Sequence, residues 1–235
     1  MHLAIFDLDG TLTRTTRVDE MCYVRALRDA LGITEIDSEW SHYTHSTDSG
    51  ITTEIFQNCY RRLPTADEVE RLRQRFVGLL AATFRVEPAS CTEVHGAAAA
   101  LRRLNAHPQW RIALATGSWQ ASARLKLESA GLDLDGVPAA FADDSLRREE
   151  IVALARSRAL QCYEQDDFSR TVYVGDAPWD VRAARRLGIP FVGIGGERAA
   201  ERLHREGADR VLRDFEAFDR VLRALEETSV PGTPL

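Results

Sequence analysis

The chain has 235 residues, and its 36 aspartates and glutamates exceed its 30 lysines and arginines. Apolar residues at 44% and charged residues at 28% are ordinary for a soluble globular protein with a substantial core. This mild acidity, with basic and acidic residues interspersed, argues against a nucleic-acid-binding protein.

The cysteines and the N-terminus exclude several further classes of protein. The four cysteines are far apart and form no Cys-x-x-Cys pair, so neither a zinc site nor a disulfide framework is expected. The N-terminus passes from a short apolar run directly to Asp7 without a basic leader, which argues against a secretory signal. No apolar run approaches the length of a membrane span. We therefore expect a cytoplasmic protein that binds neither nucleic acid nor membranes.

The first predicted element is a buried strand that ends in two carboxylates. Residues 3–6 form a continuous apolar run of strand length, and Asp7 and Asp9 follow with only Leu8 between them. Burying a carboxylate without partners is costly, so core packing does not explain this ending. The pattern indicates a bound cation or a reaction at the end of the strand.

Residues 13–87 are predicted to form an all-helical insertion. Apolar residues at helical spacing predict a helix over 18–31. Helical spacing begins again at Ile51 and after Thr65, which forms a capping box with Glu68. Between the first two helices, residues 37–50 are polar and irregular, which predicts a loop.

Beyond Pro88, predicted strands and helices alternate. The predicted strands cover 111–115, 139–142, 172–174 and 191–194, with a further candidate at 208–212. The predicted helices cover 92–105, a segment that ends at Gly131, 145–160, a segment from Pro178 to Gly188, and 215–225. This alternation predicts an α/β fold in which residues 1–12 and 88–235 form a mostly parallel sheet with helices on both faces. Residues 228–235 are predicted to be a loose tail.

Polar residues follow three of the predicted strands. They are Asp7 and Asp9 after the first strand, Thr116 and Gly117 after 111–115, and Asp176 after 172–174, with Asp180 one helical turn later. Because the carboxyl ends of parallel strands lie at one edge of a sheet, we expect these residues to lie close together. Clustered carboxylates and carbonyl oxygens suit Mg²⁺, which shares its ligands with substrate phosphate.

Two adjacent arginines, Arg147 and Arg148, are candidates for an anion contact. If Asp144 or Ser145 caps the helix that follows, both arginines fall in its first turn, where the helix dipole disfavours cations. At least one of them is therefore expected to face an anion. The alternative is a salt bridge to Asp143, Asp144 or a neighbouring helix.

Taken together, these motifs resemble the haloacid dehalogenase superfamily of phosphoryl-transfer hydrolases. The four family motifs are matched in order by Asp7-Leu8-Asp9-Gly10-Thr11, by Thr116 with Gly117, by an arginine where the family usually has a lysine, and by Gly175-Asp176 with Asp180. The segments 188–193 and 208–209 further resemble the phosphoglycolate-phosphatase-like branch, which carries a helical cap after the first motif. The resemblance implies a Rossmann-like core and assigns residues 13–87 to the cap.

The resemblance also implies a role for each matched residue. Asp7 would attack phosphorus to form an aspartyl-phosphate, and Asp9 would carry the proton, which requires a pKa near neutrality. Mg²⁺ would be held by Asp7, the backbone carbonyl of Asp9 and Asp176, with Asp180 supporting them from behind. The phosphate group would be bound by the following residues: Gly10, Thr11, Thr116, Gly117 and Arg148. Arg148 is favoured over Arg147 because it leads directly into the helical pattern.

The implied activity is a Mg²⁺-dependent phosphatase acting on a small phosphorylated metabolite. Within the superfamily, a carboxylate two positions after the nucleophile favours phosphate esters, and Asp9 occupies that position. Two alternatives stay open. One is an intramolecular phosphotransferase such as a sugar-phosphate mutase, which uses the same carboxylate pair; the other is a non-catalytic phosphometabolite-binding protein.

The polar loop at 40–50 is a candidate specificity loop over the site. Its aromatic, imidazole and hydroxyl groups could contact the leaving group of the substrate; they are Trp40, His42, His45, Thr47 and Asp48. The alternative is that its aromatic residues are simply the core of a small helical cap. A metal pair formed by His42 and His45 is not expected, because no third ligand lies nearby in the sequence.

Overall fold

The computed structural model describes residues 1–233, which form a parallel sheet flanked by helices and a separate block of three helices. The strands are β1 (His2–Phe6), β2 (Trp110–Ala115), β3 (Ala139–Ala140), β4 (Arg170–Gly175), β5 (Phe191–Ile194) and β6 (Arg210–Leu212). The helices are α1 (Thr16–Leu31), α2 (Asp48–Tyr60), α3 (Ala66–Val86), α4 (Ala97–Asn105), α5 (Gln120–Ser129), α6 (Arg148–Cys162), α7 (Pro178–Leu187), α8 (Glu197–Arg205) and α9 (Phe218–Glu227). Short 3-10 turns lie at Trp40–His42 and Pro88–Ser90. The predicted α/β class is confirmed.

The sheet has the strand order β3-β2-β1-β4-β5-β6, and every described pairing is parallel. Phe6, the last residue of β1, lies level with Leu114 of β2 and Val174 of β4. The residues that follow these three strands therefore emerge side by side. The strand order reverses between β1 and β4, which is where open α/β sheets bind ligands.

The strands of the sheet are apolar on both faces because helices cover both. One cluster of buried residues joins alternate residues of β1, β2 and β4 to α4 and α9, and a second joins the others to α6 and α7. Leu3, Ala4 and Ile5 are completely buried, as a continuous apolar run predicts. This packing fixes β1 and the residues at its end.

Helices α1, α2 and α3 enclose a core of their own above the carboxyl edge of the sheet. Leu72 and Phe76 of α3 are fully buried there. Trp119, which immediately precedes α5, lies against this core, with its ring centroid 6.1 Å from Tyr23 and 6.3 Å from Phe76. The predicted capping box of Thr65 and Glu68 is present at the start of α3. The aromatic contact and the chain connections attach the helical block to the sheet at the edge where the functional residues emerge.

Several predicted boundaries differ from those observed. Helix α4 begins at Ala97 and α9 at Phe218, later than the predicted residues 92 and 215, and α6 begins at Arg148. The predicted loop ends at Thr47, whose side chain accepts a hydrogen bond from the Gly50 N–H and so caps α2.

The prediction of a loose C-terminal tail is wrong for residues 228–233. Thr228 is buried, and its hydroxyl donates to the Phe191 carbonyl and, at 2.8 Å, to Asp209. The Gly232 N–H donates to the Gly207 carbonyl at 3.0 Å. Hydrogen bonds to the end of the sheet therefore hold this segment despite its proline and glycine content. The rest of the predicted tail, residues 234–235, lies outside the described residues.

The structure can be compared with the predictions about membrane spans and about the cysteines. Within residues 1–233, no helix combines the length and apolar character needed to cross a bilayer. All four cysteines are free thiols; Cys22 and Cys91 are buried, while Cys59 and Cys162 are exposed.

Candidate active site

The loop after β1 places Asp7 at the centre of the carboxyl edge. Asp7 is 4% exposed, and its N–H donates to the Val174 carbonyl of β4 at 2.9 Å. Gly10 follows with a φ of +82°, and a Cβ on it would lie 2.1 Å from Oδ2 of Asp176. Glycine is favoured in this turn, because the backbone conformation and the nearby carboxylate both disfavour a side chain. The turn thereby brings β1 against the residues that follow β4.

Three carboxylates meet at this point. Asp7, Asp176 and Asp180 each offer an oxygen within 4.8 Å of the other two. Asp180 is fully buried on α7, where it accepts hydrogen bonds from the Tyr173 hydroxyl at 2.8 Å and the Ala177 N–H at 3.2 Å. Burial and then the neighbouring Asp180 raise the pKa of Asp7 to about 8. The hydrogen bonds to Asp180 therefore help to hold the three carboxylates together despite the repulsion between their charges.

Arg148 is the cation that faces this cluster. Its Nη1 donates to Oδ1 of Asp7 at 2.7 Å and lies 3.4 Å from Oδ1 of Asp180. Its Nη2 donates to the Ser46 carbonyl at 2.7 Å, while its buried Nε has no partner among residues 1–233. Arg147 points elsewhere, with a side chain that is 52% exposed and paired with Glu149. The geometry therefore brings Arg148, and not Arg147, to Asp7.

The composition of this cluster suits a divalent cation. Three carboxylates against one guanidinium leave an excess of two negative charges when all are ionised, three minus one. Burial and the charge of Asp7 raise the pKa of Asp176 well above its usual range, which reflects the same excess. All of the offered ligand atoms are carboxylate oxygens, the donors that hard cations such as Mg²⁺ prefer. The residues present therefore fit a metal ion.

Thr116 and Gly117 close the site from the side of β2. Thr116 is buried, and its Oγ1 accepts from the Ser118 N–H at 3.1 Å. A Cβ on Gly117 would lie 2.4 Å from Nη2 of Arg148 and 2.8 Å from the Ser46 carbonyl oxygen. Thr11 lies on the other side, with its hydroxyl 3.4 Å from Asp7 and 3.5 Å from Asp176. The residues predicted to bind phosphate therefore surround Asp7.

Asp9 points away from this cluster, toward the helical block. Its carboxylate accepts from the Thr15 hydroxyl at 2.5 Å and the Ser118 hydroxyl at 2.8 Å. It also forms an ion pair with Lys126, whose Nζ lies 2.8 Å from Oδ1. Although burial opposes ionisation, Lys126 and these hydrogen bonds lower the pKa of Asp9. In this substrate-free arrangement Asp9 therefore favours its ionised form, and a pKa near neutrality in the presence of substrate stays a prediction.

Lys126 is the functional candidate that the sequence patterns do not single out. It occupies the buried face of α5 and is completely buried, yet it contacts Asp9 and Ser118 of the sheet loops and Asp19 of α1. Its spacing matches an ordinary apolar helix position. One signal is available in the sequence: Lys126 is the only lysine in the chain, where every other basic position is arginine.

The predicted specificity loop divides into two parts. Trp40 stacks on Tyr43 at a centroid distance of 5.8 Å within the helical block, and exposed His42 bonds to Asp37 at 2.7 Å. His45 is half-buried beside Gly50, and neither histidine belongs to a three-ligand cluster within residues 1–233. Among residues 1–233, none of these three predicted loop residues forms a hydrogen bond or ion pair with the carboxylate cluster.

Thr47 and Asp48, in contrast, lie against the sheet. The Thr47 hydroxyl donates to the Leu146 carbonyl at 2.8 Å, and the Asp48 N–H donates to the Gly117 carbonyl at 2.7 Å. The Asp48 carboxyl accepts from the Trp119 N–H at 2.8 Å, and burial followed by the charge of Asp19 raises its pKa to about 8. This part of the loop closes the site over Arg148 and Gly117.

Several solved structures share this fold, and one family model matches most of the chain. A search of curated proteins finds no match. Among solved structures, a hydrolase from Pseudomonas syringae is 23% identical, with a TM-score of 0.71 over 95% of this chain and 98% of that one. CbbY from Rhodobacter sphaeroides, solved in complex with phosphate, is 22% identical, with a TM-score of 0.67 over 95% and 98%.

A predicted phosphoglycolate phosphatase from Haemophilus somnus 129pt is 16% identical, with a TM-score of 0.57 over 94% of this chain and 97% of that one. Identities this low establish a shared fold and nothing finer. A family model, however, matches residues 1–188, which include the ends of β1, β2 and β4 and the site residues that follow them. The chain is therefore an enzyme that belongs to the haloacid dehalogenase-like hydrolases, a family whose members typically use a metal ion.

Proposed function

We propose that this enzyme is a Mg²⁺-dependent phosphatase that hydrolyses a small phosphorylated metabolite through an aspartyl-phosphate. One observation carries the proposal: the Asp7 carboxylate is bonded to Arg148 at 2.7 Å and lies within 4.8 Å of Asp176 and Asp180. The guanidinium of Arg148 lies beside the carboxylate that would be the nucleophile, and its donors suit the oxygens of a phosphate group.

In the proposed reaction, an Asp7 oxygen forms a bond to phosphorus while the bond to the leaving oxygen breaks. Arg148, Thr116 and the N–H groups of the loop from Gly10 to Thr11 hold the phosphoryl oxygens. Water then attacks the phosphorus of the aspartyl-phosphate, which releases inorganic phosphate and regenerates the carboxylate. Each step exchanges one bond to phosphorus for another, so the reaction consumes water and requires no oxidant or further co-substrate.

Mg²⁺ would be held by Asp7, the backbone carbonyl of Asp9 and Asp176, with Asp180 supporting the arrangement. When bound, it neutralises the charge that builds on the phosphoryl oxygens. Asp180 is suited to a supporting role because Tyr173 and the Ala177 N–H already occupy its oxygens. The excess of two negative charges in the cluster favours binding of such an ion.

Asp9 would carry the proton, to the leaving oxygen in the first step and from the attacking water in the second. In the arrangement described above it is ionised and bonded to Lys126, which is the form required of the base. Acting as the acid requires that Asp9 take up a proton when substrate, with its own negative charge, enters the site.

We further propose that residues 13–87 act as a cap, joined to a core formed by residues 1–12 and 88–235. Ser46, Thr47 and Asp48 contact Arg148, Leu146 and Gly117, so they occupy the entrance to the phosphate site. Thr47 and Asp48 are the parts of the predicted specificity loop that remain candidates for contact with the leaving group. Closure of this segment would exclude water from the reaction.

A panel of phosphorylated sugars, glycolate, nucleotides and amino-acid phosphates, assayed for released phosphate with Mg²⁺, tests the proposal. We expect turnover of at least one compound, loss of turnover with EDTA, and loss with Asp7→Asn. Turnover that survives Asp7→Asn or EDTA would contradict the nucleophile or the metal role. Conversion of a sugar phosphate to an isomer without free phosphate would instead show an intramolecular phosphotransferase.

A further inference from the structure

Lys126 is a buried cation in a position where an apolar residue would be expected. It lies on the face of α5 that also buries Ala123 and Leu127, and none of its surface is exposed. Replacing a buried ion pair by apolar residues of similar volume is often neutral or stabilising, so stability alone does not explain this lysine. The chain places arginine at all its other basic positions, which makes the single lysine more specific still.

The ammonium group of Lys126 has three protons and three acceptor groups. Nζ lies 2.8 Å from Oδ1 of Asp9 and 2.9 Å from the Ser118 hydroxyl, and it forms an ion pair with Asp19. An ammonium offers three donors to acceptors on different sides, whereas a guanidinium offers its donors in one plane. The acceptors come from the loops after β1 and β2 and from α1, so they surround a point charge.

These contacts leave the Asp9 carboxylate little freedom. Oδ1 accepts from Thr15 at 2.5 Å and lies 2.8 Å from Nζ of Lys126. Oδ2 accepts from Ser118 at 2.8 Å and from Lys126 at 2.9 Å. Ser118 itself accepts from Lys126, so this lysine restrains Asp9 both directly and through the hydroxyl. Asp9 therefore depends on Lys126 for its orientation relative to Asp7.

We propose that Lys126 is a positioning residue that holds the Asp9 carboxyl group for proton transfer and joins it, through Asp19, to the first helix of the cap. This inference rests on the proposed function, because the proposed phosphatase reaction is what gives Asp9 a role in proton transfer. Lys126 does not contact the reacting phosphoryl group in this scheme. Its effect on turnover therefore passes through Asp9.

A double-mutant cycle tests the proposal. We would measure kcat and KM for Lys126→Met, Asp9→Asn and the double variant, with an alkyl phosphomonoester and with 4-nitrophenyl phosphate. We expect Lys126→Met to lower kcat for the alkyl ester about 10- to 100-fold, part of the 10²–10⁴-fold that a positioned acid–base group contributes. The effect should be smaller for 4-nitrophenyl phosphate, whose leaving group needs little protonation. In the Asp9→Asn background, Lys126→Met should have no further effect on kcat.

Equal losses from Lys126→Met in both backgrounds would overturn the proposal, since a merely structural lysine lowers the active fraction regardless of residue 9. An unchanged kcat in folded Lys126→Met would also overturn it. Arg124→Met, which removes an exposed cation from the same helix, is the matched control and should leave kcat unchanged.

A second variant guards against misfolding. If Lys126→Met does not fold, as judged by circular dichroism, Asp19→Asn/Lys126→Met removes the carboxylate that would be left unpaired. The same cycle is then run with Asp19→Asn as its starting protein. Absence of wild-type turnover on every phosphomonoester would contradict the proposed function itself, whereas wild-type turnover with additive losses would contradict only the role of Lys126.

Discussion

We expect Gly10→Ala to lower the activity of the enzyme far more than the stability of its fold. A Cβ at this position would lie 2.1 Å from Oδ2 of Asp176, so that oxygen must move about 1.3 Å to reach an ordinary contact of 3.4 Å. A displacement of about 1 Å in a catalytic arrangement can cost about 100-fold in rate. The side chain of Asp176 can rotate away, so the contact itself should cost little stability. The positive φ of +82° should cost about 1–2 kcal/mol, because a Cβ disfavours the left-handed region.

Gly32→Ala is the matched control. Gly32 has a φ of +68°, but a Cβ placed on it would have no neighbouring atom within 4 Å, so alanine there meets only the backbone cost. We expect similar losses of unfolding free energy from both variants in urea titrations. We expect only Gly10→Ala to lose about 100-fold of the proposed Mg²⁺-dependent turnover, and to lose the rise in Tm that Mg²⁺ binding should give the wild-type protein. The prediction is refuted if both variants keep turnover and the Mg²⁺ response, or if both lose them equally.

Two further predictions concern arginines and their partners. Arg148→Met should abolish turnover, because it leaves the Asp7 carboxylate without its cation. Arg147→Met should keep turnover within about two-fold of wild type, because its ion pair is exposed. Comparable losses from both variants in phosphate-release assays would show that Arg148 is not the arginine of the active site. Glu68 has its pKa lowered to about 2, first by its hydrogen bond from Arg62, so the pair stabilises the fold above about pH 4.5 and that contribution is lost as pH falls toward 2. Glu68→Gln should therefore have a lower Tm than the wild-type protein near pH 7. This difference in Tm should become smaller at each step from about pH 5 to about pH 3, and a difference that stays constant would contradict the prediction.

Much of the site could be predicted from the sequence because it follows strand ends. An apolar run that stops at Asp7 and another that stops before Asp176 place both residues on one edge once the strands are parallel. Arg148 could be predicted because a basic residue in the first turn of a helix has to be explained. Each of these signals lies within a few residues of the chain, and the parallel sheet of the α/β fold then determines where the residues meet.

Other features depend on contacts that no local pattern encodes. The Ser46 carbonyl bonds to Arg148, but any residue carries a carbonyl, so the sequence contains no signal for it. The state of Asp9 could not be predicted, since Lys126 approaches it from a helix 117 positions later. Residues 228–233 have the composition of a loose tail, whereas the carboxylate of Asp209 binds Thr228 and Ser229. In each case the partner is distant in the chain.

Because the chain has a single lysine, the surroundings of Lys126 can be probed in the wild-type protein without any substitution. Apart from the N-terminal amine, Lys126 carries the only primary amine of the unmodified chain. A lysine-selective isotope label would therefore give one side-chain resonance, located where α1 and α5 meet. Because that amine is fully buried, a reagent that acylates amines can reach it only when the packing around α5 opens. The ratio of acylation at Lys126 to that at Met1 would then report how often this packing opens.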